Sequence, residues 1–255
     1  MNLLLTAAAL WALYLLAIKP RLRKRGEVRR FLGCAYAHRG LHGGDTPENS
    51  LAAFKKCGAF GAELDVRLTS DGVPVVIHDA DTARTCAMPG KVGALTLEEL
   101  RCRTLGDGSK IPTLSEALSV LGKRKSIVEI KTAGDTRRIC PAVLAELERG
   151  AGEYIVESFD PRALIWFRFH AGSYIRCQLT AKLPGAGRLL GSLLTNVLTQ
   201  PDLIAPCIWE RTGLSLLLCR KLWRTGMIWW TVRDEEKREK LLGRGDGVIF
   251  EGKYS

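Results

Sequence analysis

The chain has 255 residues, 46% of them hydrophobic and 25% charged. That is enough apolar content to fill one sizeable core, and it excludes a disordered or low-complexity protein. A net charge of +11 would suit nucleic acid, but the excess is local. Residues 19–30 carry seven basic side chains (Lys19, Arg21, Arg23, Lys24, Arg25, Arg29, Arg30) against Glu27 alone. No aromatic residue is interleaved among them to stack on bases, so no nucleic-acid partner is expected.

In chain order, the first element is an uncharged apolar run from Asn2 to Ile18, at the short end of what spans a bilayer. The positive charge follows the run, and Lys19-Pro20-Arg21 is a poor cleavage site, so a removed signal peptide is not expected. Basic flanks stay on the cytoplasmic side. Residues 1–30 therefore read as an uncleaved membrane anchor and its basic flank. Residues 2–18 enter the membrane, and a domain over 31–255 lies in the cytoplasm. The alternative is a terminal helix packed on a soluble domain. The eight cysteines sit mostly inside apolar strand or helix patterns, with no Cys-x-x-Cys pair, and read as unpaired thiols.

Behind the anchor, β-rich runs at 34–38, 61–69, 73–79, 126–131, 153–159, 174–179, 203–206, 227–232 and 247–251 alternate with helical patterns. Only Ser70-Asp71-Gly72 separates the second run from the third, too little for a parallel crossover, so these two form an antiparallel hairpin. The other eight strands make a (β/α)8 TIM barrel. With Asp71-Gly72 as a two-residue turn, Asp65 faces His78 across the hairpin, and Glu63 shares their side. Segment 80–112 has no strand partner. It contains a short helix near Leu97–Arg103. Helices are predicted at 113–121, 135–149, 161–171, 186–199, 211–225 and 234–243.

The chemistry-bearing residues cluster at strand ends. They are His38-Arg39-Gly40, Pro47-Glu48-Asn49, Glu63-Leu64-Asp65, His78-Asp79, Glu129-Ile130-Lys131 and, late in the chain, Trp230-Thr231-Val232. Glu63, Asp65 and Glu129 lie in apolar strands, where unpaired carboxylates are costly. One divalent cation removes that cost, and all-oxygen ligation suits Mg2+ or Ca2+. Ion pairing with Arg39 and Lys131, without a metal, is the plainer alternative. Arg39 as a fork and Lys131 as a point charge suit a phosphate. Asn49 is expected to cap the first barrel helix, and Glu48 to orient Arg39. His42 falls in the loop over the mouth, and His170 on an outer helix.

Six such motifs in this order resemble the glycerophosphodiester phosphodiesterase family, over roughly residues 34–252. The resemblance implies a TIM barrel with segment 80–112 as an insertion over its mouth, and a general acid–base pair of His38 and His78. It makes Glu63, Asp65 and Glu129 the cation ligands and places Trp230 beside the glycerol. The implied reaction is metal-dependent hydrolysis of glycerophosphodiesters to sn-glycerol 3-phosphate and an alcohol. A lysophospholipase D-like or phospholipase C-like action on membrane lipids is the alternative, with an acyl chain passing Leu95, Leu97 and Leu100. Two positions depart from the family pattern. Arg233 stands where Asn usually follows Trp-Thr-Val, and Glu251 stands where an aspartate usually ends the last strand.

Overall fold

The computed structural model describes residues 2–181, 192–209 and 213–252. Its strands are β1 (Ala35–Ala37), β2 (Gly61–Leu68), β3 (Pro74–Val76), β4 (Lys125–Ile130), β5 (Glu153–Ser158), β6 (Ile175–Thr180), β7 (Leu203–Pro206), β8 (Gly226–Val232) and β9 (Gly247–Phe250). They form one sheet in the order β1-β9-β8-β7-β6-β5-β4-β2-β3, and a β1–β2 pairing closes it. Every pair is parallel except β2–β3, so eight strands make the barrel and β3 is a hairpin appended to β2.

The helices start where the sequence signals a start. Thr113 and Glu116 form a reciprocal capping box before Leu114–Leu121. Asp135, Asp160 and Asp234 each accept a backbone N–H at the heads of Thr136–Arg149, Pro161–His170 and Glu235–Leu242. Pro161 occupies the first turn, where its missing N–H costs nothing. Of the helix predicted at 186–199, Asn196–Thr199 is helical and 186–191 lie outside the described residues. The helix predicted at 211–225 runs over Leu214–Lys221, and 211–212 likewise lie outside.

Strand alternation divides the core into two shells. Leu64, Val66, Val128, Ile130 and Val156 face the helices. Ile127, Ile155, Ile175, Cys177, Leu203 and Ile249 fill the interior. The register sets the interior in layers. Glu63, Ile127, Ile155 and Ile175 share one rung. Asp65, Glu129, Glu157 and Cys177 share the next rung toward the C-terminal ends. The fold thus stacks an acidic layer on an aliphatic one, at the end where barrel enzymes keep their active sites.

The membrane anchor expected over residues 2–18 is not found, and with it falls the assignment of residues 31–255 to the cytoplasmic side of a membrane. The N-terminal helix, Asn2–Ala17, has 16 residues. At 1.5 Å per residue that is about 24 Å, less than the ~30 Å hydrocarbon layer. Among the described residues no helix is long and apolar enough to cross a membrane. Nor does this helix pack into the barrel along its length, since it buries none of its residues. Docking begins at its end, where Tyr14 Oη meets Ser215 Oγ at 2.9 Å. Ile18 is fully buried, and its carbonyl accepts from Asn196 Nδ2 and the Cys219 thiol.

The basic block has a different use from a membrane flank. It closes the N-terminal floor of the barrel. Val28 and Phe31 join the interior core, and Tyr36 Oη donates to the Phe31 carbonyl. Arg21 grips Asp202 with two nitrogens, at 2.6 and 2.9 Å. Lys24 donates to the Ser173 carbonyl, Arg25 to the Trp223 carbonyl, and Arg30 pairs with Glu153. These cations answer carbonyls and acids of the floor loops.

The hairpin forms with a register one residue away from the expected one. Val66 pairs with Val76, Arg67 with Val75 and Leu68 with Pro74. The turn is a three-residue loop, Ser70-Asp71-Gly72, closed by Gly72 N–H to Thr69 O and Thr69 N–H to Val73 O. Gly72 supplies the positive φ (+87°) that such a loop needs. Residue 65 therefore bonds Ile77, and His78 lies beyond the end of β3.

The insertion has its own small core. Val92, Leu100, Leu105 and Ile111 pack with Val75 and Ile77 of the hairpin, and Leu95 and Leu97 sit at its edge. Leu100 is fully buried there. The leucines expected to admit an acyl chain are engaged in holding the insertion down. All eight cysteines are unpaired.

Candidate active site

The His38-Arg39-Gly40 turn leaves β1 in an unusual conformation. Arg39 has φ +56° and Gly40 φ +78°. A Cβ on Gly40 would meet Ala53 Cβ at 2.8 Å and its carbonyl carbon at 2.9 Å, so only glycine fits. This turn points the Arg39 N–H at Glu63 Oε2 (2.9 Å) and places Arg39 Nε 3.3 Å from Asp65 Oδ2. His38 Nε2 lies 4.0 Å from Glu63 Oε2.

Glu63, Asp65 and Glu129 converge as buried carboxylates, each with an oxygen within 4.8 Å of the others'. Lys131 Nζ bridges Asp65 Oδ1 (3.1 Å) and Glu129 Oε1 (2.7 Å). Burial and the Asp65 and Glu129 charges push Glu63 well above the usual carboxylate range. Burial pushes Glu129 up to about 7, against the pull of Lys131. Burial acts the same way on Asp65, but Lys131 and Arg39 outweigh it and hold Asp65 low. Two cations alone thus leave the acids under-compensated. The deficit, the burial and the all-oxygen donor set fit a hard divalent cation. Glu157, on the same rung as Glu129, is a fourth buried acid, also pushed well up by burial and by Glu129. Its place in a β-rich run was its only signal in the sequence.

Asn49 does not cap the first barrel helix. Ser50 does, accepting from Ala53 N–H. Asn49, at φ +55°, donates instead to Asp65 Oδ2 at 2.9 Å and so fixes one acid of the triad. Glu48 holds Arg39 Nη1 at 2.9 Å, as its sequence position suggested. Glu48 also receives two nitrogens of Arg84, at 3.0 and 2.6 Å. Arg84 in turn donates to Asp79, which faces His78. Arg84 belongs to the insertion and carried no sequence signal. Burial lowers the His78 pKa, with Asp65 and Asp79 opposing.

On the other wall, Trp230 is half-buried at the mouth. Its Nε1 donates to the Ala205 carbonyl, and its ring meets Phe159 edge-on at 5.7 Å. The two departures from the family pattern are one feature in space, for Arg233 donates to Glu251 from Nε (2.7 Å) and Nη2 (2.5 Å). The two departures reach His38, one of the two histidines of the motif set, since Glu251 also faces His38 and His42. These two rings and Arg233 hold the Glu251 carboxyl well below its usual range. His170 is remote, stacked on Trp166 at the end of the outer helix Pro161–His170.

The glycerophosphoryl diester phosphodiesterase family model matches residues 38–192. A glycerophosphodiester phosphodiesterase of Caldanaerobacter subterraneus is 31% identical over 239 residues, covering 84% of this chain and 91% of its own. One from Bacillus altitudinis is 40% identical over 182 residues, covering 66% and 69%. Among solved structures, an Oleispira antarctica phosphodiesterase in complex with the product sn-glycerol-3-phosphate superposes with a TM-score of 0.72 at 24% identity, covering 87% of this chain and 94% of its own. A Thermotoga maritima glycerophosphodiester phosphodiesterase superposes with a TM-score of 0.68 at 27% identity, covering 85% and 93%. Barrel, motifs and relatives agree, and the chain belongs to the glycerophosphoryl diester phosphodiesterase family, as an enzyme of that class.

Proposed function

We propose that the chain hydrolyses glycerophosphodiesters to sn-glycerol 3-phosphate and an alcohol, using one divalent cation held by Glu63, Asp65 and Glu129. The observation that carries this reading is the meeting of three buried carboxylates, two cationic side chains and two imidazoles at the C-terminal mouth of the barrel. The solved Oleispira relative was captured with sn-glycerol-3-phosphate, a product of this reaction. An Mg2+ or Ca2+ ion would supply Lewis-acid polarisation of a phosphate oxygen.

The chain's own residues do the rest. Arg39 and Lys131 hold the phosphate oxygens and release part of their grip on the acids in doing so. One imidazole of the His38–His78 pair takes the proton from the attacking oxygen as it bonds phosphorus. The other gives a proton to the alcohol oxygen as its bond to phosphorus breaks. The attacking oxygen belongs to water or to the glycerol 2-hydroxyl; in the latter case water opens the resulting cyclic phosphate to sn-glycerol 3-phosphate in a second step. Trp230 forms the wall against the glycerol. The insertion's leucines are committed to their own core, which favours a small diester over a lipid.

The test is turnover of glycerophosphocholine with and without chelator, beside lysophosphatidylcholine. Chelator-sensitive release of sn-glycerol 3-phosphate is the expected result. Full turnover in metal-free protein, or turnover of the lysolipid alone, overturns the proposal.

A further inference from the structure

We propose that His38, His42 and Glu251 form a second cation site at the barrel mouth, one whose donors suit a zinc-type ion rather than magnesium or calcium. One ring nitrogen from each histidine and one carboxylate oxygen converge there within 4.8 Å of one another. His42 Nε2 lies 3.3 Å and His38 Nδ1 3.9 Å from the same oxygen, Glu251 Oε1. Both nitrogens are buried and, though they stand beside Glu251 Oε1, neither meets it or any other group in hydrogen-bond geometry. Buried ring nitrogens beside a carboxylate yet out of hydrogen-bond geometry with it leave room for a shared ligand.

The spacing suits an ion between them. Donors bound at about 2.0–2.1 Å to a tetrahedral zinc stand about 3.4 Å apart. The His42–Glu251 pair has that separation already, and His38 Nδ1 has to close on Glu251 Oε1 by about half an ångström. Arg233 supplies the support that a ligating carboxylate needs. Its fork takes Oε2 and leaves Oε1 turned toward the two rings. Two imidazoles and one carboxylate select zinc, cobalt or nickel, whereas the triad of Glu63, Asp65 and Glu129 offers oxygen alone. The sites share one ring, since His38 turns its other nitrogen, Nε2, toward Glu63. An ion on Nδ1 would pin that ring and make excess zinc an inhibitor. The binding itself does not depend on whether His38 moves protons.

The experiment uses the full chain in excess magnesium. Co2+ is titrated calorimetrically and by visible absorption, and Zn2+ by its effect on turnover. One cobalt per chain should bind above the magnesium background, with the visible bands of a nitrogen- and oxygen-ligated tetrahedral ion. His42→Ala and Glu251→Gln, each checked for native circular dichroism, should weaken it at least about tenfold. Glu63→Gln should leave it in place. Zinc should inhibit the His42→Ala enzyme less than the wild type. The proposal is overturned if no cobalt binds above magnesium, or if both His42→Ala and Glu251→Gln bind it like wild type, in which case Glu251 merely steadies two rings. Loss of binding in Glu63→Gln with retention in His42→Ala would also overturn it, by placing the ion in the triad.

Discussion

Asp79 stands between His78 and Arg84, with Oδ1 2.7 Å from His78 Nδ1 and Oδ2 accepting from Arg84 Nε at 2.5 Å. A carboxylate on Nδ1 fixes the imidazole's tautomer and leaves Nε2 as the nitrogen able to exchange a proton. The insertion is thereby tied to His78, since Arg84 steadies Asp79 and Glu48 together. His38→Ala and His78→Ala are each expected to lower kcat by about 100-fold or more. Asp79→Asn should lower kcat by roughly 10- to 100-fold with little change in KM, as a misaimed proton carrier does. Steady-state kinetics on glycerophosphocholine check both. Near-wild-type kcat in a histidine variant removes that residue from the mechanism.

The strands were legible because their apolar runs are short and bounded by turn and cap residues. All eight barrel strands fall within a residue or so of their sequence positions. The hairpin register was not legible, because Asp71-Gly72 signals a two-residue turn with equal force. The difference lies in Thr69, whose hydroxyl accepts from Val73 N–H and makes the loop three residues long. The slip would have turned His78 away from Asp65 had the strand continued. Ending β3 at Val76 frees the backbone to bring it round. Among the site residues, the histidines, the three acids, Arg39, Lys131 and the supporting Glu48 were legible, whereas Asn49, Glu157 and Arg84 were not. Asn49 looked like a cap because Ser50, beside it, is one. Glu157 and Arg84 gain their meaning only from register and from a contact 36 residues distant.

Removal of the divalent ion should change stability as well as activity. Glu129 rises from its ordinary 4.5 to about 7 in the folded protein, with burial the leading cause. A group whose folded pKa is raised holds an extra proton in the native state, so its contribution is present at low pH and lost as pH rises through about 7. The metal-free enzyme should therefore have a lower Tm at pH 8 than at pH 6, and Mg2+ should remove most of that difference. Glu129→Gln should lessen the slope of the metal-free profile, leaving the part that Glu63 and Glu157, also raised by burial, contribute. A metal-free Tm that rises from pH 6 to pH 8 would contradict the assignment.

Gly40→Ala tests the strained turn that aims Arg39. The substitution places a Cβ 2.8 Å from Ala53 Cβ at a φ of +78°. A cost of about 1–3 kcal/mol is expected from the backbone conformation alone, read as a fall in Tm. Because the Arg39 N–H that meets Glu63 lies in the same turn, metal affinity should fall with it. Unchanged metal affinity in a folded Gly40→Ala protein would separate the turn from the triad.

The last expectation concerns the floor. Asp202 is buried and answers three groups at once: two nitrogens of Arg21 and the Arg176 N–H. Arg21→Ala would strand that carboxylate with only the backbone N–H, and removing one partner of a buried pair costs about 3–5 kcal/mol. Arg21 keeps some solvent contact, which puts the expected loss nearer the lower end of that range. Truncation should divide the N-terminus in the same way. A chain beginning at Ile18 keeps the buried Ile18, the Arg21–Asp202 pair and the Val28–Phe31 plug, and should melt within a few degrees of the full chain. A chain beginning at residue 31 loses Ile18, Arg21 and Val28, and should melt far lower or fail to fold. Equal Tm values for the two truncations would mean that residues 18–30 contribute nothing to the barrel, and the floor would have to be explained without them.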